Sequence, residues 1–351
     1  MKNVKLLSAL GMLGIGAVAN ADAPKLSEVL ASSGITTSGY VAASYFHSSQ
    51  LNSLHQFDTG HDSFHLDQAG LTLAMQPKEG FGAVVDLIAG EDARVVSFAE
   101  SGGSDQFNVK QAFVQYANGG LTLIAGKYTT LIGAEVIAPT GNTNYSRGLL
   151  FYSEPLTHTG VRATYAVNDV FAFTAGVNNG WNYTATNYGS KTGELGISLT
   201  PSKAFSFTAQ ALFGKDPVLD AQRKIVDVVA TWNATDMLSV VFSYDWGRQD
   251  SACAGDCRWS GIAGYVNLKA NDQFRVSVRA EYLDDKDGLI SGTAGKVKEA
   301  TVTLGYAPVE SFELRLEGRY DKADQAAFAM TSGTESTCAQ TEFALQGVYK
   351  F

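Results

Sequence analysis

Residues 311–321 read S-F-E-L-R-L-E-G-R-Y-D, and this stretch decides the fold. Its even positions carry Phe, Leu, Leu, Gly and Tyr, and its odd positions from 313 onward carry Glu, Arg, Glu, Arg and Asp. A helix cannot place these two sets on opposite faces, whereas successive side chains of a strand point to opposite sides. The stretch therefore predicts a strand with one apolar face and one charged face.

The same period-two pattern recurs along the chain from residue 35 onward. Most of the segments are nine to fourteen residues long, which exceeds the ~5–6 residues of a soluble strand and suits a tilted strand that crosses a bilayer. We predict sixteen strands, at 35–47, 63–76, 80–92, 106–117, 120–128, 156–167, 170–182, 190–200, 204–214, 223–234, 236–249, 258–271, 273–285, 296–307, 311–324 and 340–351.

The connections between these strands alternate in length. Short ones fall at 77–79, 118–119, 168–169, 201–203, 235, 272 and 308–310, and long ones include 48–62, 93–105, 129–155, 286–295 and 325–339. Short turns on one side and long loops on the other are typical of an outer-membrane β-barrel. None of the seven prolines falls inside a predicted strand, where it would remove a ladder hydrogen bond.

The predicted fold is therefore all-β: a transmembrane antiparallel barrel of about 16 strands with its apolar face toward lipid and its polar face inward. A secreted soluble β-sandwich or β-solenoid is the alternative. Charged residues are only 17% of the chain against about 25% in typical soluble domains. Its 38 aromatic residues argue against disorder. A formal charge of −9 gives no indication of a nucleic-acid partner.

Residues 1–21 have the layout of an export signal. Lys2 and Lys5 precede an apolar stretch from Leu6 to Val18, and Ala19-Asn20-Ala21 matches an A-x-A cleavage site. The alternative is a short N-terminal helix of the folded protein. We predict a signal peptide at 1–21 and a single barrel domain at 22–351. Cleavage would leave 24 basic and 35 acidic residues, a formal charge of −11.

Two of the three cysteines lie close together in S-A-C-A-G-D-C-R, residues 251–258. A disulfide between Cys253 and Cys257 is the favoured interpretation, because a metal site would lack a second pair of thiolates. Cys338 would be free or intermolecular.

The first long connection and the ends of its strands contain four of the five histidines. Imidazoles interleaved with carboxylates suit a divalent transition metal, but the spacing fits no compact template and a solvated loop is favoured. His55, His61 and His65 remain weak metal candidates, and no cofactor is predicted. The residues concerned are His47, His55, His61 and His65 with Asp58, Asp62 and Asp67.

Enzymatic activity is not predicted. His158 is the one histidine outside that region, and Ser153 and Glu154 near it form no recognised motif. No G-x-S-x-G is present. The carboxylates Asp284, Asp285 and Asp287 could hold Ca²⁺ or cations that bridge lipopolysaccharide, with solvation as the default.

The final segment, T-E-F-A-L-Q-G-V-Y-K-F at 341–351, resembles the C-terminal strand of Gram-negative outer-membrane barrels. In those proteins the terminal aromatic is read by the barrel-assembly machinery. The resemblance implies that Phe343, Tyr349 and Phe351 face lipid and form an assembly signal.

The stretch 126–160 and the two residues after it also resemble the β-barrel porin family of Gram-negative outer membranes. The matching residues are G-K-Y at 126–128, G-A-E at 133–135, Pro139, 142–144, S-R at 146–147, Pro155 and H-T-G-V-R at 158–162. This resemblance implies that the third long loop, 129–155, folds into the lumen and narrows it. It also implies an outer-membrane location and, from the size of the chain, a homotrimer. Strong cation filtering by this loop alone is not expected, because few acids lie on it.

The alternation and the position of the third loop predict the residues that line and constrict the pore. They are Glu135, Arg147, Glu154, Arg162, Arg275, Arg279, Arg315 and Arg319. The last four arginines fall on neighbouring strands and could face Glu135 and Glu154 across the lumen, creating a transverse field. The alternative, which we favour for any one arginine, is pairing with Glu281, Glu313 and Glu317 on the same wall.

The function expected on these grounds is a water-filled channel for passive diffusion of ions and small hydrophilic solutes past the third loop. One alternative is a porin selective for sugars or organic acids, with Tyr145, Phe151 and Tyr152 as an aromatic track. Another is a structural or adhesive outer-membrane barrel. The expected partners are outer-membrane lipid, lipopolysaccharide, the barrel-assembly machinery and small solutes.

Overall fold

The computed structural model describes residues 29, 32–51, 54–218, 220–250, 252–253, 255–331 and 335–351. The predicted signal peptide at 1–21 lies outside these described residues. Among them, no helix is both long enough and apolar enough to cross a membrane.

Sixteen strands of the described chain close into one antiparallel barrel, in which each strand pairs with its chain neighbours and the first pairs with the last. The prediction of the fold is confirmed, with strand ends shifted by four residues at most. The barrel strands are β1 (Thr36–Ser48), β2 (Ser63–Met75), β3 (Gly80–Ala89), β4 (Phe107–Asn118), β5 (Leu121–Thr129), β6 (Thr157–Ala166), β7 (Phe171–Asn178), β8 (Thr192–Ser202), β9 (Phe205–Lys215), β10 (Gln222–Asn233), β11 (Leu238–Gln249), β12 (Cys257–Lys269), β13 (Phe274–Asp285), β14 (Gly295–Val309), β15 (Phe312–Ala323) and β18 (Ala339–Lys350).

Short helices and a small two-stranded sheet interrupt the long loops. Helix α1 (Glu91–Ser101) occupies the second loop, helix α2 (Leu149–Ser153) the third, and the two-residue strands β16 (Phe328–Ala329) and β17 (Ser336–Thr337) pair in the eighth. A 3₁₀ turn covers Pro139–Gly141. The period-two pattern gave no sign of α1. Helix α1 ends at Gly102, whose φ of 69° is left-handed and whose N–H donates to the carbonyl of Phe98.

Two prolines do lie inside strands, contrary to prediction. Pro201 is in β8 and Pro308 is in β14, each one residue before the end of its strand. The pairing register shifts there, between Leu199 and Ser202 and between Tyr306 and Val309. A bulge leaves a residue outside the ladder, so a proline at such a position costs no ladder hydrogen bond.

The two faces of β15 show how the alternation is used. Its outward residues Leu316 and Tyr320 are 54% and 46% exposed, whereas the inward Arg315 and Arg319 are 3% and 2% exposed. Apolar residues thus cover the outside and charged residues the inside, as expected of a barrel surrounded by lipid.

Barrel closure brings the chain end against β1. The N–H of Phe351 donates to the carbonyl of Gly39, and the Gly39 N–H donates back at 2.8 Å. A Cβ at position 39 would meet the far end of the Phe351 ring, so a larger residue there would displace that ring. The short turns share this end of the barrel, and the long loops lie at the other.

The half of the interior nearest the long loops is filled by residues from those loops. We name them loop 1 (49–62), loop 2 (90–106), loop 3 (130–156), loop 4 (179–191), loop 7 (286–294) and loop 8 (324–338). One buried apolar cluster joins four of these loops to the wall, and it contains Leu54, Ile132, Leu149, Trp181, Leu212, Ile225, Trp259, Leu283, Val297, Ala323 and Phe328. A second joins loops 1, 2 and 3 to β3, and it contains Phe57, Ile88, Ala93, Val96, Ile137, Phe151 and Leu156.

Candidate functional site

Loop 3 enters the lumen and lies against the wall formed by β13, β14 and β15. Ile132 and Leu149 of this loop pack in the first apolar cluster, and Ile137 and Phe151 pack in the second. An enclosed loop needs partners for its backbone N–H and C=O groups, because water cannot satisfy them there. The charged residues of the wall supply these partners.

Arg279 is the central contact. Its side chain is wholly buried, and Nη1 donates to Glu135 Oε1 and to the carbonyl of Ser146, both at 2.8 Å. Nη2 donates to Ser146 Oγ at 2.9 Å and to Glu299 at 3.2 Å. Arg279 and Glu135 are therefore in direct contact. They do not face each other across an open lumen.

The other three wall arginines bind the loop in the same manner. Each donates from Nη1 to a backbone carbonyl of loop 3: Arg275 to Thr143 at 2.6 Å, Arg315 to Pro139 at 3.1 Å and Arg319 to Arg147 at 2.7 Å. Because loop carbonyls take up these guanidinium groups, the arginines of the C-terminal wall position loop 3.

Carboxylates satisfy the N–H groups of the same loop. Glu317 accepts from the backbone of Tyr145 at 2.6 Å and of Ser146 at 2.9 Å. Glu135 accepts from Gly148 at 2.6 Å. Glu281 accepts from the next backbone N–H along the loop. The wall therefore holds loop 3 by both its carbonyls and its amides.

Pairing within the wall is present as well. Glu313 lies 2.5 Å from Arg275 and 2.8 Å from Arg315, and Arg319 lies 2.9 Å from Asp321. Opposite charges are thus balanced locally, which weakens any field directed across the lumen. The alternation predicted which residues face inward, but it carried no signal for the backbone groups that they contact.

Arg147, predicted as a constriction residue, instead binds backbone carbonyls of its own loop 3. Its guanidinium donates to the carbonyls of Val136, Ile137 and Tyr145 at 2.7–2.9 Å. It also lies over the ring of Phe57, 5.3 Å from the ring centre. The residue is 2% exposed, so it holds the loop together and does not line open space.

Arg162 and Glu154 lie toward the other wall. Arg162 pairs with Glu194 at 2.8 Å and stacks 4.1 Å from the centre of the Tyr128 ring. Glu154, from loop 3, is 8% exposed, and its Oε2 has no hydrogen-bond partner among the described residues.

Two aspartates that the sequence reasoning did not single out face each other near Glu154. Asp227 of β10 and Asp245 of β11 are register partners, and both are wholly buried. Like charges directly opposite on paired strands are destabilising. The signal that could have found them is their position: both fall on the inward face when counted from the turn at 235.

The accessible part of the lumen lies against strands β5 to β10. Near the short turns the inward residues of these strands stay half-exposed, and so do Arg275 and Glu313 of the opposite wall. Farther from the turns, the inward residues of β13 to β15 are buried under loop 3. The half-exposed residues of the β5 to β10 wall near the short turns carry hydroxyl groups: they are Thr122, Thr164, Thr174, Ser198, Thr208 and Thr231.

A cavity of about 580 Å³ opens between loops 1, 2, 3, 4 and 7, and we call it the vestibule. It is lined by Tyr152, Glu154 and Trp181 among others, with Arg223 stacked 3.8 Å from the centre of the Trp181 ring. Arg94 and Phe98 of α1 line its other side.

The proposed aromatic track is not continuous. Tyr145 packs against Phe46 and Phe151 packs against Phe57, and both are buried. Of the three candidates, only Tyr152 lines the vestibule.

The histidine cluster divides into two. His47 and His61 meet Asp62 at the surface, with His61 Nδ1 at 3.0 Å and His47 Nδ1 closer. His55 is instead drawn into the barrel, where it is 5% exposed and faces Asp58 and residues of β15 and β18. His65 belongs to neither group of potential ligands.

Cys253 and Cys257 form the disulfide that the sequence favoured, and Cys338 is free and exposed. Of the candidate cation ligands Asp284, Asp285 and Asp287, Asp285 binds the backbone of loop 7. It accepts hydrogen bonds from the backbone N–H groups of Leu289, Ile290 and Ser291. That side chain therefore stabilises the loop backbone.

The aromatic residues of the terminal strand point outward. Phe343, Tyr349 and Phe351 are 57%, 48% and 66% exposed. Their side chains therefore lie on the outer surface of the barrel.

Comparisons with known proteins agree with this architecture. A family model described as "Putative beta-barrel porin-2, OmpL-like" matches residues 34–351. No curated protein sequence matches. The outer membrane channel DcaP of Acinetobacter baumannii is similar in structure (TM-score 0.61, 15% identity, 90% of this chain and 97% of that one).

Two further solved structures are similar. They are an anion-selective porin from Comamonas acidovorans (TM-score 0.63, 12% identity, 90% and 99% of the chains) and OmpT of Vibrio cholerae in a trimer form (TM-score 0.61, 12% identity, 90% and 99%). At such identities the likeness shows the fold alone.

Proposed function

Since the chain belongs to the family described as putative beta-barrel porin-2, OmpL-like, we propose a route by which solutes pass through it. The protein is a porin of the Gram-negative outer membrane, a channel without enzymatic activity. Ions and small hydrophilic solutes enter at the vestibule, pass the side of loop 3 that faces β5 to β10, and leave along the hydroxyl-rich wall.

The observation that carries this route is the attachment of loop 3 to one side of the barrel. Four arginines and the carboxylates beside them hold the loop on β13 to β15. Space on that side is therefore reduced, and the half-exposed hydroxyl residues lie on the opposite wall.

The chemistry of that wall supports weak selection. Threonine and serine hydroxyls both donate and accept hydrogen bonds, so they replace water around a passing sugar or ion without trapping it. The vestibule carries both signs of charge, with Arg94 and Arg223 beside Glu154. We therefore propose modest ion selectivity set at the vestibule and not by the four wall arginines.

A second candidate is a solute-selective porin. The vestibule holds the Arg223 guanidinium stacked on Trp181, with Tyr152 and Phe98 also in the lining. An aromatic surface beside a fixed cation suits a sugar ring or a small organic acid.

Liposome swelling separates these candidates. Vesicles that contain the purified protein are diluted into isotonic sugars of increasing size. Passive diffusion predicts rates that fall smoothly with solute size and rise linearly with concentration. A saturable rate for one solute class would favour the selective porin. No swelling with even the smallest sugar would refute both and favour a structural or adhesive barrel.

We also propose a homotrimer, with support from the trimer form of the structurally similar OmpT. Native mass spectrometry in detergent tests it, and a monomer at all concentrations would exclude it. We further propose that lipid and lipopolysaccharide surround the apolar exterior and that the assembly machinery recognises the terminal strand. We also propose cleavage of the signal peptide after Ala21. The mass of the mature N-terminus checks the cleavage.

A further inference from the structure

Exposed basic residues are distributed unevenly over the outside of the barrel. The described strands β1 to β7 contain three basic residues, Lys110, Lys127 and Arg162, and all three are buried. The long-loop end of an outer-membrane barrel is extracellular, so exposed cations near it meet the outer leaflet. Strands β9 to β15 expose six basic residues in that half of the barrel: Lys215, Lys224, Arg258, Lys296, Lys298 and Lys322.

Two of these lysines lie directly opposite each other. Lys298 of β14 and Lys322 of β15 are register partners on neighbouring strands, and both side chains are exposed. Their register partners on the far sides are Tyr282 and Ala339, which carry no charge at neutral pH. Like charges directly opposite on paired strands are destabilising. A bound anion would remove this repulsion.

A second row of cations is largely balanced within the protein. Arg248 lies between Lys224 and Arg258 in the register of β10 to β12. It forms ion pairs with Asp250 and Asp256. Three cations and two carboxylates leave one positive charge in this row, whereas Lys298 and Lys322 together keep two.

The opposed lysines lie just beyond the apolar band of the outer surface. Toward the short turns, the next outward residues are Ala300 and Val302 on β14 and Tyr320 on β15, and the last two are 47% and 46% exposed. Aromatic residues such as Tyr320 mark the edges of the apolar band in these barrels. Lysine keeps its stem on apolar surface and its ammonium group in water. The two ammonium groups therefore lie at the level of the lipid headgroups.

We propose that Lys298 and Lys322 together bind a phosphate group of lipopolysaccharide, the glycolipid of the outer leaflet. This inference rests on the proposal that lipopolysaccharide surrounds the exterior, and it adds which face of the barrel holds the headgroup. Lysine is a common phosphate ligand in proteins. Each lysine near an anionic lipid surface strengthens binding about fivefold.

The surface below the two lysines suits the acyl chains of the same molecule. Ala280 and Ala300 are register partners, and their small side chains lie between the larger rings of Tyr282 and Tyr320. A free phosphate would contact the lysines alone, and exposed charges in water attract each other weakly. A phosphorylated lipid would use the charged pair and the apolar strip together, so the lipid is the occupant that we infer.

Lys296 provides a matched comparison on the same strand and the same face. Its register partner on β13 is Asp284. Its backbone N–H donates to the Asp324 carboxylate at 2.8 Å. Lys296 therefore lies between two carboxylates, whereas Lys298 has none directly beside it in the register.

Lys215 completes a control with the same loss of charge. It lies at the end of β9 and pairs with Asp220 at 3.0 Å. The control double variant Lys215→Gln/Lys296→Gln removes two positive charges from lysines that already have carboxylate neighbours. The test variant Lys298→Gln/Lys322→Gln removes two from the opposed pair.

The experiment is native mass spectrometry of the purified protein in detergent after removal of bound lipid. The protein is titrated with lipid A that carries two phosphates and, separately, with lipid A from which both have been removed. We expect the test variant to weaken binding of the phosphorylated lipid about 25-fold, since each lysine contributes about fivefold. Binding of the dephosphorylated lipid should not change, and the control variant should bind both lipids as the unmodified protein does. Heat-modifiable gel mobility checks that each barrel is folded.

Four results would overturn the proposal. Unchanged binding of phosphorylated lipid A by the test variant would exclude the two lysines, and equal weakening in the control variant would assign the effect to general charge. Inorganic phosphate that displaces the lipid would identify a site for a free anion. A smaller oligomer with unchanged lipid binding would assign the pair to a contact between copies of the chain.

A single substitution keeps the test decisive if the double variant does not fold. Lys322→Gln alone should weaken binding of the phosphorylated lipid about fivefold, and no change would exclude the site. Equal binding of both lipids to the unmodified protein would remove only this inference. Binding of neither lipid would also remove the proposed lipopolysaccharide exterior, and the route through the lumen is unaffected by either result.

Discussion

Removing the Arg279 guanidinium should release loop 3 from the barrel wall. This side chain donates five hydrogen bonds, and three of them go to loop 3: to Glu135 at 2.8 Å, to the Ser146 carbonyl at 2.8 Å and to Ser146 Oγ at 2.9 Å. Arg279→Ala deletes all of them and leaves Glu135 buried without its cation.

The magnitude follows from the burial of this pair. Arg279 is wholly buried and Glu135 is 7% exposed, and breaking such a pair costs about 3–5 kcal/mol. Since each 1.4 kcal/mol is a factor of ten, the ratio of docked to undocked loop 3 should fall about 10²- to 10⁴-fold. The remaining arginines still hold the loop, so it should fluctuate and stay partly docked.

Single-channel recording in planar bilayers measures this change. We expect Arg279→Ala to show a larger mean conductance and more open-channel noise than the unmodified protein. Arg248→Ala is the control, because Arg248 is half-buried at the rim and its ion pairs with Asp250 and Asp256 contribute about 0–1 kcal/mol. A folded Arg279→Ala barrel with unchanged conductance and noise would refute the anchoring role.

Three further predictions concern residues outside this contact. Asp245→Asn removes the repulsion with Asp227 and should raise stability by about 1 kcal/mol, seen as a higher urea midpoint, with Asp236→Asn on an exposed turn as the control; an equal or lower midpoint would contradict it. Burial raises the pKa of Asp92 in α1 above its ordinary value. Asp92 therefore contributes to the stability of the folded state at low pH, and this stability is lost as pH rises through the folded-state pKa. Asp92→Asn should therefore slow hydrogen exchange of α1 at pH 7 and leave it unchanged near pH 3; a faster exchange at pH 7 would contradict this. Maleimide labelling of the folded, unreduced protein should modify one thiol per chain, Cys338, and a count of three would exclude the disulfide.

The barrel was predictable from sequence because its determinants are local. A lipid-facing strand must alternate, and residues 311–321 do so without interruption, so β15 and its inward arginines follow from periodicity alone. The turns were predictable for the same reason. Helix α1 was missed because it lies in a loop, where neither the period-two pattern nor lipid constrains the sequence.

The contents of the lumen were not predictable, since they depend on which loop meets which strand. The ladder in β15 identified Arg315 and Arg319 as inward, but their partners are carbonyls about 170 residues away in loop 3. Likewise, His55 and His61 are six residues apart, yet one is buried and the other lies at the surface. The spacing of the two histidines in the sequence does not indicate that one is buried and the other lies at the surface.

The central claim is an open, water-filled route along the wall of β5 to β10, and the current through a single unmodified barrel tests it most directly. Purified protein added to a planar bilayer in simple salt should give discrete current steps that are ohmic at low voltage, with modest preference for either ion. Insertion of folded protein without current steps would contradict the account, because the lumen would then be closed by the loops that fill it.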